Sequence, residues 1–111
     1  MAELNDNSNG EDELGVELST DGPSTVVRIA GDVDISTCNV LREALRPVYD
    51  LDASHTVIFD LSAATFFDSS GLAVLIELTR SGRTVWLRKP SPTLRRVVEA
   101  TGLAEILAIE P

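Results

Sequence analysis

The stretch TVIFDLSAATFFDSSGLAVLIELTR, residues 56–80, decides the fold because it joins a strand pattern directly to a helix pattern. Its first part, VIFDLS, is a short apolar and β-branched run, which is typical of a buried strand. After the sequence DSSGL (68–72), apolar residues recur at the spacing of one helix face: Leu72, Leu75, Ile76 and Thr79, widened by Val74 and Leu78. The sequence therefore predicts that Ser69 and Ser70 lie at a strand-to-helix turn.

The residues before this stretch predict a β-hairpin and a helix. LGVELST and STVVRIAGDV alternate between apolar and polar residues, and DGPS between them is a turn signal. In the next segment, DISTCNVLREALRPVYD, one helix face is formed by Leu41, Ala44, Leu45 and Val48. Ser36 or Thr37 can cap the start of this helix. Pro47 lacks an amide and disfavours helical geometry at the residue before it, so we expect the helix to end or kink near Arg46.

The residues after it predict a strand, RTVWLRKP, and a helix, SPTLRRVVEATG. The serine of SPTL is a suitable N-cap, Pro92 takes the first helical position and Gly102 lies just past the end. The inward face of this helix is predicted to hold Leu94, Val97 and Val98. The final LAEILAIEP is compatible with either a strand or a helix.

The order of elements predicts the α/β class. Strand–helix–strand alternation implies parallel pairing with right-handed crossovers, and the opening hairpin adds an antiparallel edge. We therefore expect a single mixed β-sheet, mostly parallel, packed against α-helices. Residues 1–11 are polar and lack periodicity, which predicts a disordered acidic N-terminal tail ahead of one folded domain over residues 12–111.

The charge of the chain is concentrated at its front end. The formal net charge is −9, and residues 1–22 hold seven acidic residues and no Lys or Arg. The rest of the chain is therefore close to neutral. Direct binding of nucleic acid is disfavoured, because the phosphate backbone needs a basic face.

Serine-hydrolase chemistry is disfavoured because the chain has a single histidine, His55. A serine nucleophile needs an adjacent base, usually histidine. His55 begins the strand that leads to Ser69, and a strand of about seven residues would separate the two by roughly 20 Å. We therefore expect no serine-hydrolase activity.

The sequence also predicts no metal site and no cofactor. One cysteine, Cys38, and one histidine cannot form a zinc site, and Cys38 is expected to face the core. Four acidic residues could cluster at one end of the sheet, although capping of turns and helices is the preferred interpretation: Asp32, Asp34, Asp60 and Asp68. Glycine-rich nucleotide motifs are missing. The single cysteine, together with the lack of a signal-peptide pattern or a membrane-length apolar run, favours the cytoplasm.

A hydroxyl at the start of a helix has two possible uses. It can cap the helix, which contributes about 1 kcal/mol. It can also carry a phosphate, which the free amides and the positive end of the helix dipole tolerate. Phosphorylation would add about −1.5 to −2 of charge without melting the helix, and would alter the surface more than the fold. From the spacing alone, capping is the preferred interpretation.

Four segments in order resemble the STAS domains of bacterial anti-sigma-factor antagonists. VIFDLSAATFFDSSGLAVLIEL is similar to the phosphorylatable segment of the family. VVRIAGDVDISTCNVL resembles its second strand and following helix, RTVWLRKPSP its fourth strand and turn, and LRRVVEATGLAEIL its last helices. The resemblance covers about residues 13–110.

The resemblance implies a partner-switching protein that is not an enzyme. The unphosphorylated antagonist binds an anti-sigma factor, usually also a serine kinase, and thereby frees the sigma factor. Phosphorylation of the antagonist abolishes this binding, and a serine phosphatase restores it. Ser69 matches the phosphoacceptor, and the implied partner-binding residues are Asp68, Ser69, Ser70, Gly71, Asp32 and Asp34. Because Gly71 has no Cβ, we also expect a partner's backbone to come close there.

Two other functions are compatible with the sequence. STAS-like domains also serve as accessory subunits of membrane transporters, with the same fold. A small nucleotide-binding module could use the helix start as a phosphate cradle, although the acidic neighbours of Ser69 oppose a polyphosphate.

Overall fold

The computed structural model describes residues 14–111, so the predicted tail over residues 1–11 lies outside the described residues. In chain order the elements are strand β1 (Gly15–Asp21), strand β2 (Ser24–Val33), helix α1 (Cys38–Ala44), helix α2 (Arg46–Tyr49), strand β3 (Thr56–Phe67), helix α3 (Ser69–Arg80), strand β4 (Thr84–Arg88), helix α4 (Pro92–Ala100), a 3₁₀ turn (Leu103–Glu105) and strand β5 (Leu107–Ile109).

The five strands form one mixed sheet in the order β1-β2-β3-β4-β5. Strands β1 and β2 are an antiparallel hairpin, whereas β2, β3, β4 and β5 pair in parallel. The predicted fold class is therefore confirmed. The last segment, left open by the sequence, forms a short 3₁₀ turn followed by strand β5, which pairs with β4.

The hydrophobic core lies on one face of the sheet, where it meets helices α1, α3 and α4. Alternate residues of the parallel strands point into this core, as expected for a period of two. The core-facing set includes Val27, Ile29, Val57, Phe59, Leu61, Val85 and Leu87. Cys38 belongs to the same cluster, so its predicted core-facing position is confirmed. Burial of these side chains fixes which way every strand faces, and with it where each loop emerges.

The predicted break in the first helix is confirmed. Helix α1 ends at Ala44, and α2 begins at Arg46 with Pro47 in its first turn. Leu45, between the two helices, is buried, so the apolar face continues across the break.

One predicted core position is wrong. Ser91 caps α4 as expected, since its side chain accepts a hydrogen bond from the Leu94 amide at 3.1 Å. Leu94 and Val98 are buried, but Val97 is 40% exposed. The short helix buries only a narrow stripe of its surface. Leu94 and Val98, four residues apart, lie on this stripe, whereas the neighbouring Val97 lies beside it.

The face of the sheet opposite the core carries a row of alternating charges. The pairing register places Arg28 beside Asp60, and Asp60 beside Arg88. The Arg88 guanidinium donates hydrogen bonds of 2.7 and 3.2 Å to the two carboxylate oxygens of Glu110. The hydrogen bond from Arg88 is the main cause that lowers the pKa of the Glu110 carboxyl, against the opposing effect of desolvation.

This ion pair predicts a pH dependence of stability. A carboxyl whose pKa is lowered by folding stabilises the fold above its unfolded pKa, near 4.5, and this stabilisation is lost as the pH falls through the folded pKa. We expect Glu110→Gln to be less stable than wild type at neutral pH, and the difference to shrink between about pH 5 and pH 3. Thermal melts across this range measure it. Glu105→Gln is the control, because Glu105 is exposed and forms no ion pair within residues 14–111; an equal pH effect in both variants would contradict the prediction.

Candidate functional site

Helix α3 begins at the carboxyl end of β3, where Asp68 is the N-cap residue. The Asp68 carboxylate accepts a hydrogen bond of 2.8 Å from the Ser70 amide, and its own amide donates to the Val33 carbonyl at 3.1 Å. Asp68 thus stabilises the helix start and ties it to the end of β2. The helix cap is Asp68 itself, so neither serine is needed for capping.

Ser69 is the first residue of α3 and its side chain is exposed, whereas Ser70 is half-buried. Within residues 14–111 the Ser69 hydroxyl takes part in no side-chain hydrogen bond. The capping role that spacing alone favours for the serine hydroxyl is therefore wrong, because Asp68 forms the cap. The hydroxyl lies where another protein can reach it, at the positive end of a twelve-residue helix.

Gly71 has a different environment from the one predicted. The sequence favours an approach by a partner's backbone at this glycine, but the structure places Gly71 among the buried residues of α3. A Cβ atom at this position would lie 2.6 Å from Cγ1 of Val33 and 2.7 Å from Cε1 of Phe67. The glycine is therefore required by close packing of α3 against the ends of β2 and β3 within this chain. This close packing fixes the position of Ser69, which lies two residues earlier in the same helix.

The loop between β2 and α1 is organised by Asp34. Its carboxylate accepts hydrogen bonds from the amides of Ser36 (2.9 Å) and Thr37 (3.1 Å), and from the Ser36 hydroxyl (2.7 Å). The predicted capping by a Ser36 or Thr37 side chain is wrong, because Thr37 occupies the N-cap position without a side-chain cap bond. The Thr37 hydroxyl instead donates to the Asp32 carbonyl at 2.8 Å.

The acidic group at Asp34 has a lowered carboxyl pKa. The Ser36 hydroxyl is the largest cause, and the amides of Ser36 and Thr37 act in the same direction, while desolvation opposes them. The charged form is therefore retained to low pH. Asp34 keeps a negative charge at the carboxyl edge of β2 while it holds the loop in place.

Asp34 allows charge and loop structure to be separated by mutation. Asn keeps the side-chain oxygen that accepts the two amide hydrogen bonds, whereas Ala removes it. We expect Asp34→Ala to lower the melting temperature and Asp34→Asn to stay close to wild type. Thermal melts followed by circular dichroism test this. Equal melting temperatures for the Ala variant and wild type would show that the turn does not depend on this carboxylate.

The remaining acidic residues are not all brought together. Asp32 is paired in register with Phe66, and its carboxylate accepts a hydrogen bond from the Thr65 hydroxyl. Asp60 lies on β3 six residues before Phe66, which corresponds to roughly 20 Å along the strand. It belongs to the row of alternating charges. Within residues 14–111 no group of three or more His, Cys, Asp or Glu side chains is placed to share a metal ion. Asp32 and Asp34 are the neighbours of Val33, whose carbonyl accepts the Asp68 amide, so these three acidic residues lie at the same end of the sheet as Ser69.

His55 lies at the amino end of β3, and Ser69 lies just beyond the carboxyl end of the same strand. The predicted location is confirmed, and the separation is larger than expected because β3 has 12 residues instead of about seven. A strand of that length spans roughly 40 Å. This histidine cannot act as a base for Ser69 in the same chain.

The sequence of the chain over residues 16–111 matches the family described as the STAS domain. The chain belongs to the STAS family. The fold of this STAS domain and the position of its DSSGL turn agree with the resemblance found in its sequence segments.

The relatives of this STAS domain include anti-sigma-factor antagonists. It is 31% identical over 85 residues to an anti-sigma F factor antagonist of Lysinibacillus sphaericus, covering 72% of each chain. The solved structure of an anti-sigma factor antagonist from Mycobacterium paratuberculosis is 27% identical, with a TM-score of 0.73 and coverage of 90% of this chain and 87% of that one. The anti-sigma factor antagonist SpoIIAA in its unphosphorylated form is 26% identical, with a TM-score of 0.61 and coverage of 77% and 82%.

No helix of residues 14–111 in this STAS domain is long and apolar enough to cross a membrane. Two exposed apolar residues at the same end of the sheet as Ser69 are not predicted from the sequence: Ile35, which is 81% exposed, and Phe66, which is 53% exposed. A signal for both was present in the sequence. Ile35 stands between two polar residues in a turn, and Phe66 follows Thr65 at the end of a strand whose next residue, Phe67, packs against the core.

Proposed function

We propose that this STAS domain is an anti-sigma-factor antagonist whose partner binding is switched by phosphorylation of Ser69. In its unphosphorylated form it binds an anti-sigma factor that is also a serine kinase, and a sigma factor is released. Phosphorylation ends the complex, and a serine phosphatase restores it. The cytoplasm, where sigma factors act, is the compartment this function requires. The protein acts by binding and carries out no chemistry of its own.

The observation that carries the proposal is the exposed Ser69 hydroxyl at the first position of α3. Its backbone is held by the Asp68 cap on one side and by the buried Gly71 on the other. A phosphate there can be added without breaking a hydrogen bond of the described fold. The start of the helix also tolerates the added negative charge.

The surroundings of Ser69 support its use as a docking surface. Asp32, Asp34 and Asp68 form no ion pair within residues 14–111, so their charges are open to a partner. Together with Ser69 and Ser70 they form the proposed contact surface. Gly71 acts indirectly, because its lack of a Cβ allows the start of α3 to pack closely against Val33 and Phe67.

The test of this proposal is phosphoryl transfer from candidate anti-sigma factor kinases. The protein is incubated with each kinase and ATP, its intact mass is measured, and the modified residue is mapped by peptide fragmentation. We expect one added phosphoryl group on Ser69, none on Ser69→Ala, and normal modification of Ser70→Ala. A phosphate mapped to Ser70 or to another hydroxyl, or no modification by any candidate kinase, would contradict the proposal.

The same preparation separates the two other functions. An accessory transporter subunit would co-purify with a transporter and not with a kinase. A nucleotide-binding module would show a thermal shift with ATP alone. The Asp68 carboxylate opposes nucleotide binding, because it already occupies the Ser70 amide that a nucleotide phosphate would need.

A further inference from the structure

Two exposed apolar side chains lie in the segments next to the start of α3, at the same end of the sheet as Ser69. Ile35 is 81% exposed in the loop between β2 and α1, and Phe66 is 53% exposed near the end of β3. Single exposed apolar residues are common on protein surfaces, but a pair beside a modifiable hydroxyl is informative. Building on the proposed function, we propose that Ile35 and Phe66 anchor the anti-sigma factor to this STAS domain around Ser69.

The backbone brings both anchors to the same edge of the sheet as Ser69. The Val33 carbonyl accepts the Asp68 amide at 3.1 Å, and Ile35 follows Val33 by two residues. Phe66 precedes Ser69 by three residues. The Cα atom of Phe66 therefore lies within about 11 Å of that of Ser69, and the Cα atom of Ile35 within about 16 Å, along the path across the Val33–Asp68 hydrogen bond. A partner that buries about 800 Å² of each surface covers all three residues at once.

The loop that carries Ile35 is held in one conformation. Asp34 accepts the amides of Ser36 and Thr37, and the carbonyl of Ile35 lies 3.4 Å from Sγ of Cys38, which donates to it. A side chain on such a loop loses little backbone freedom on binding, which favours its use as an anchor. Ile35 is thus presented to solvent by a loop whose backbone is already ordered.

The charge around the anchors indicates the chemistry of the occupant. Asp32 is paired in register with Phe66, Asp34 precedes Ile35 and Asp68 caps α3, and none of the three has an ion-pair partner within residues 14–111. The complementary surface is an apolar pocket of the anti-sigma factor with basic side chains at its rim. The apolar contacts supply affinity, and the carboxylates supply orientation and a faster encounter.

This arrangement also explains how phosphorylation can act. A phosphate on Ser69 would add about −1.5 to −2 of charge and three hydrated oxygens to the surface that carries the two apolar anchors. Docking would then have to strip water from the phosphate in the apolar centre of the interface. Burying a charge without a dedicated partner is unfavourable, so the anchors are kept out of their pocket.

The test measures binding of the anti-sigma factor kinase that modifies Ser69, with ADP and without ATP so that no phosphoryl transfer occurs. Wild type, Ile35→Ser, Phe66→Ser and Ile106→Ser are compared by titration calorimetry. Ile106 is the matched control, because it is 47% exposed and lies at the amino end of β5, at the opposite edge of the sheet. We expect Ile35→Ser and Phe66→Ser each to weaken binding roughly tenfold or more, and Ile106→Ser less than twofold.

The outcomes separate this inference from the proposed function. In one outcome wild type binds and Ser69→Asp weakens binding, but Ile35→Ser and Phe66→Ser bind like Ile106→Ser. The assignment of Ile35 and Phe66 as anchors is then wrong, and the proposed antagonist function stands. If wild type does not bind the kinase at all, both are overturned. A monomeric Ile35→Ser beside a dimeric wild type in sedimentation would assign the surface to a second copy of this chain and overturn the inference. Melting temperatures close to wild type for all variants confirm that binding, and not folding, is measured.

Discussion

Ser69→Asp is expected to bind the anti-sigma factor ten- to several-hundred-fold more weakly than wild type. The new carboxylate replaces an exposed hydroxyl at the start of α3. It must lose water when the complex forms, and a charge buried without a dedicated partner costs a few kcal/mol. Each 1.4 kcal/mol corresponds to a tenfold change in affinity. The phosphorylated protein, which carries more charge and volume than Asp, should bind more weakly still.

Titration calorimetry with ADP measures this loss directly, and two variants control it. Ser69→Ala should bind like wild type, because the hydroxyl is not needed for the helix cap that Asp68 forms. Ser19→Asp adds the same charge on exposed strand β1, far along the sheet from Ser69, and should leave affinity almost unchanged. If Ser69→Asp binds as tightly as wild type, charge at this position does not control docking.

Gly71→Ala is expected to have the largest effect on stability of any single-methyl change at the site. The added Cβ would lie 2.6 Å from a methyl of the β-branched Val33 and 2.7 Å from the Phe67 ring. Overpacking of this kind costs about 1–3 kcal/mol, against a gain of up to about 1 kcal/mol from the helix propensity of Ala. We expect a net loss of about 1–2 kcal/mol in the free energy of unfolding, measured by urea denaturation.

The glycine comparison has a matched control in Gly15→Ala. A Cβ at Gly15 would be 3.7 Å from Cβ of Ala30, an ordinary contact, so this variant should be neutral or slightly more stable. Because Gly71 supports the start of α3, we also expect Gly71→Ala to slow phosphorylation of Ser69, even under conditions where the variant remains folded. Equal stability of the two alanine variants would mean that α3 moves away from Val33 without strain.

Much of the fold could be predicted because local patterns and tertiary packing agree over most of the chain. The Asp21–Ser24 turn, the break at Pro47 and the cap at Ser91 each depend on backbone chemistry within a few residues. The stretch from β3 to α3 changes from a strand pattern to a helix pattern at one point. This change of pattern predicts, from neighbouring residues alone, that Ser69 lies at the start of a helix.

Most of the predictions that were wrong concern contacts between segments distant in sequence; the local exception is the capping of α1 by Ser36 or Thr37. Val97 follows the apolar pattern of α4, but the narrow contact of this helix with the core leaves it exposed. The partner contact predicted at Gly71 rests on the small size of glycine alone, whereas its packing depends on Val33, 38 residues earlier in the chain. Strand β3 is longer than the predicted seven residues because its second half pairs with β2 only, after β4 has ended.

The sequence by itself determined the mixed sheet, the order of its elements and the position of a modifiable hydroxyl at a helix start, because hydrophobic periodicity and turn chemistry are written in neighbouring residues. Only the tertiary structure decided that Ser69 is exposed, that Gly71 is buried against Val33, and that Ile35 and Phe66 are exposed at the same end of the sheet. Exposure and close contact are set by which segments meet when the chain closes around its core. No local pattern reports this, because the partners of each side chain come from strands and loops far away in the sequence.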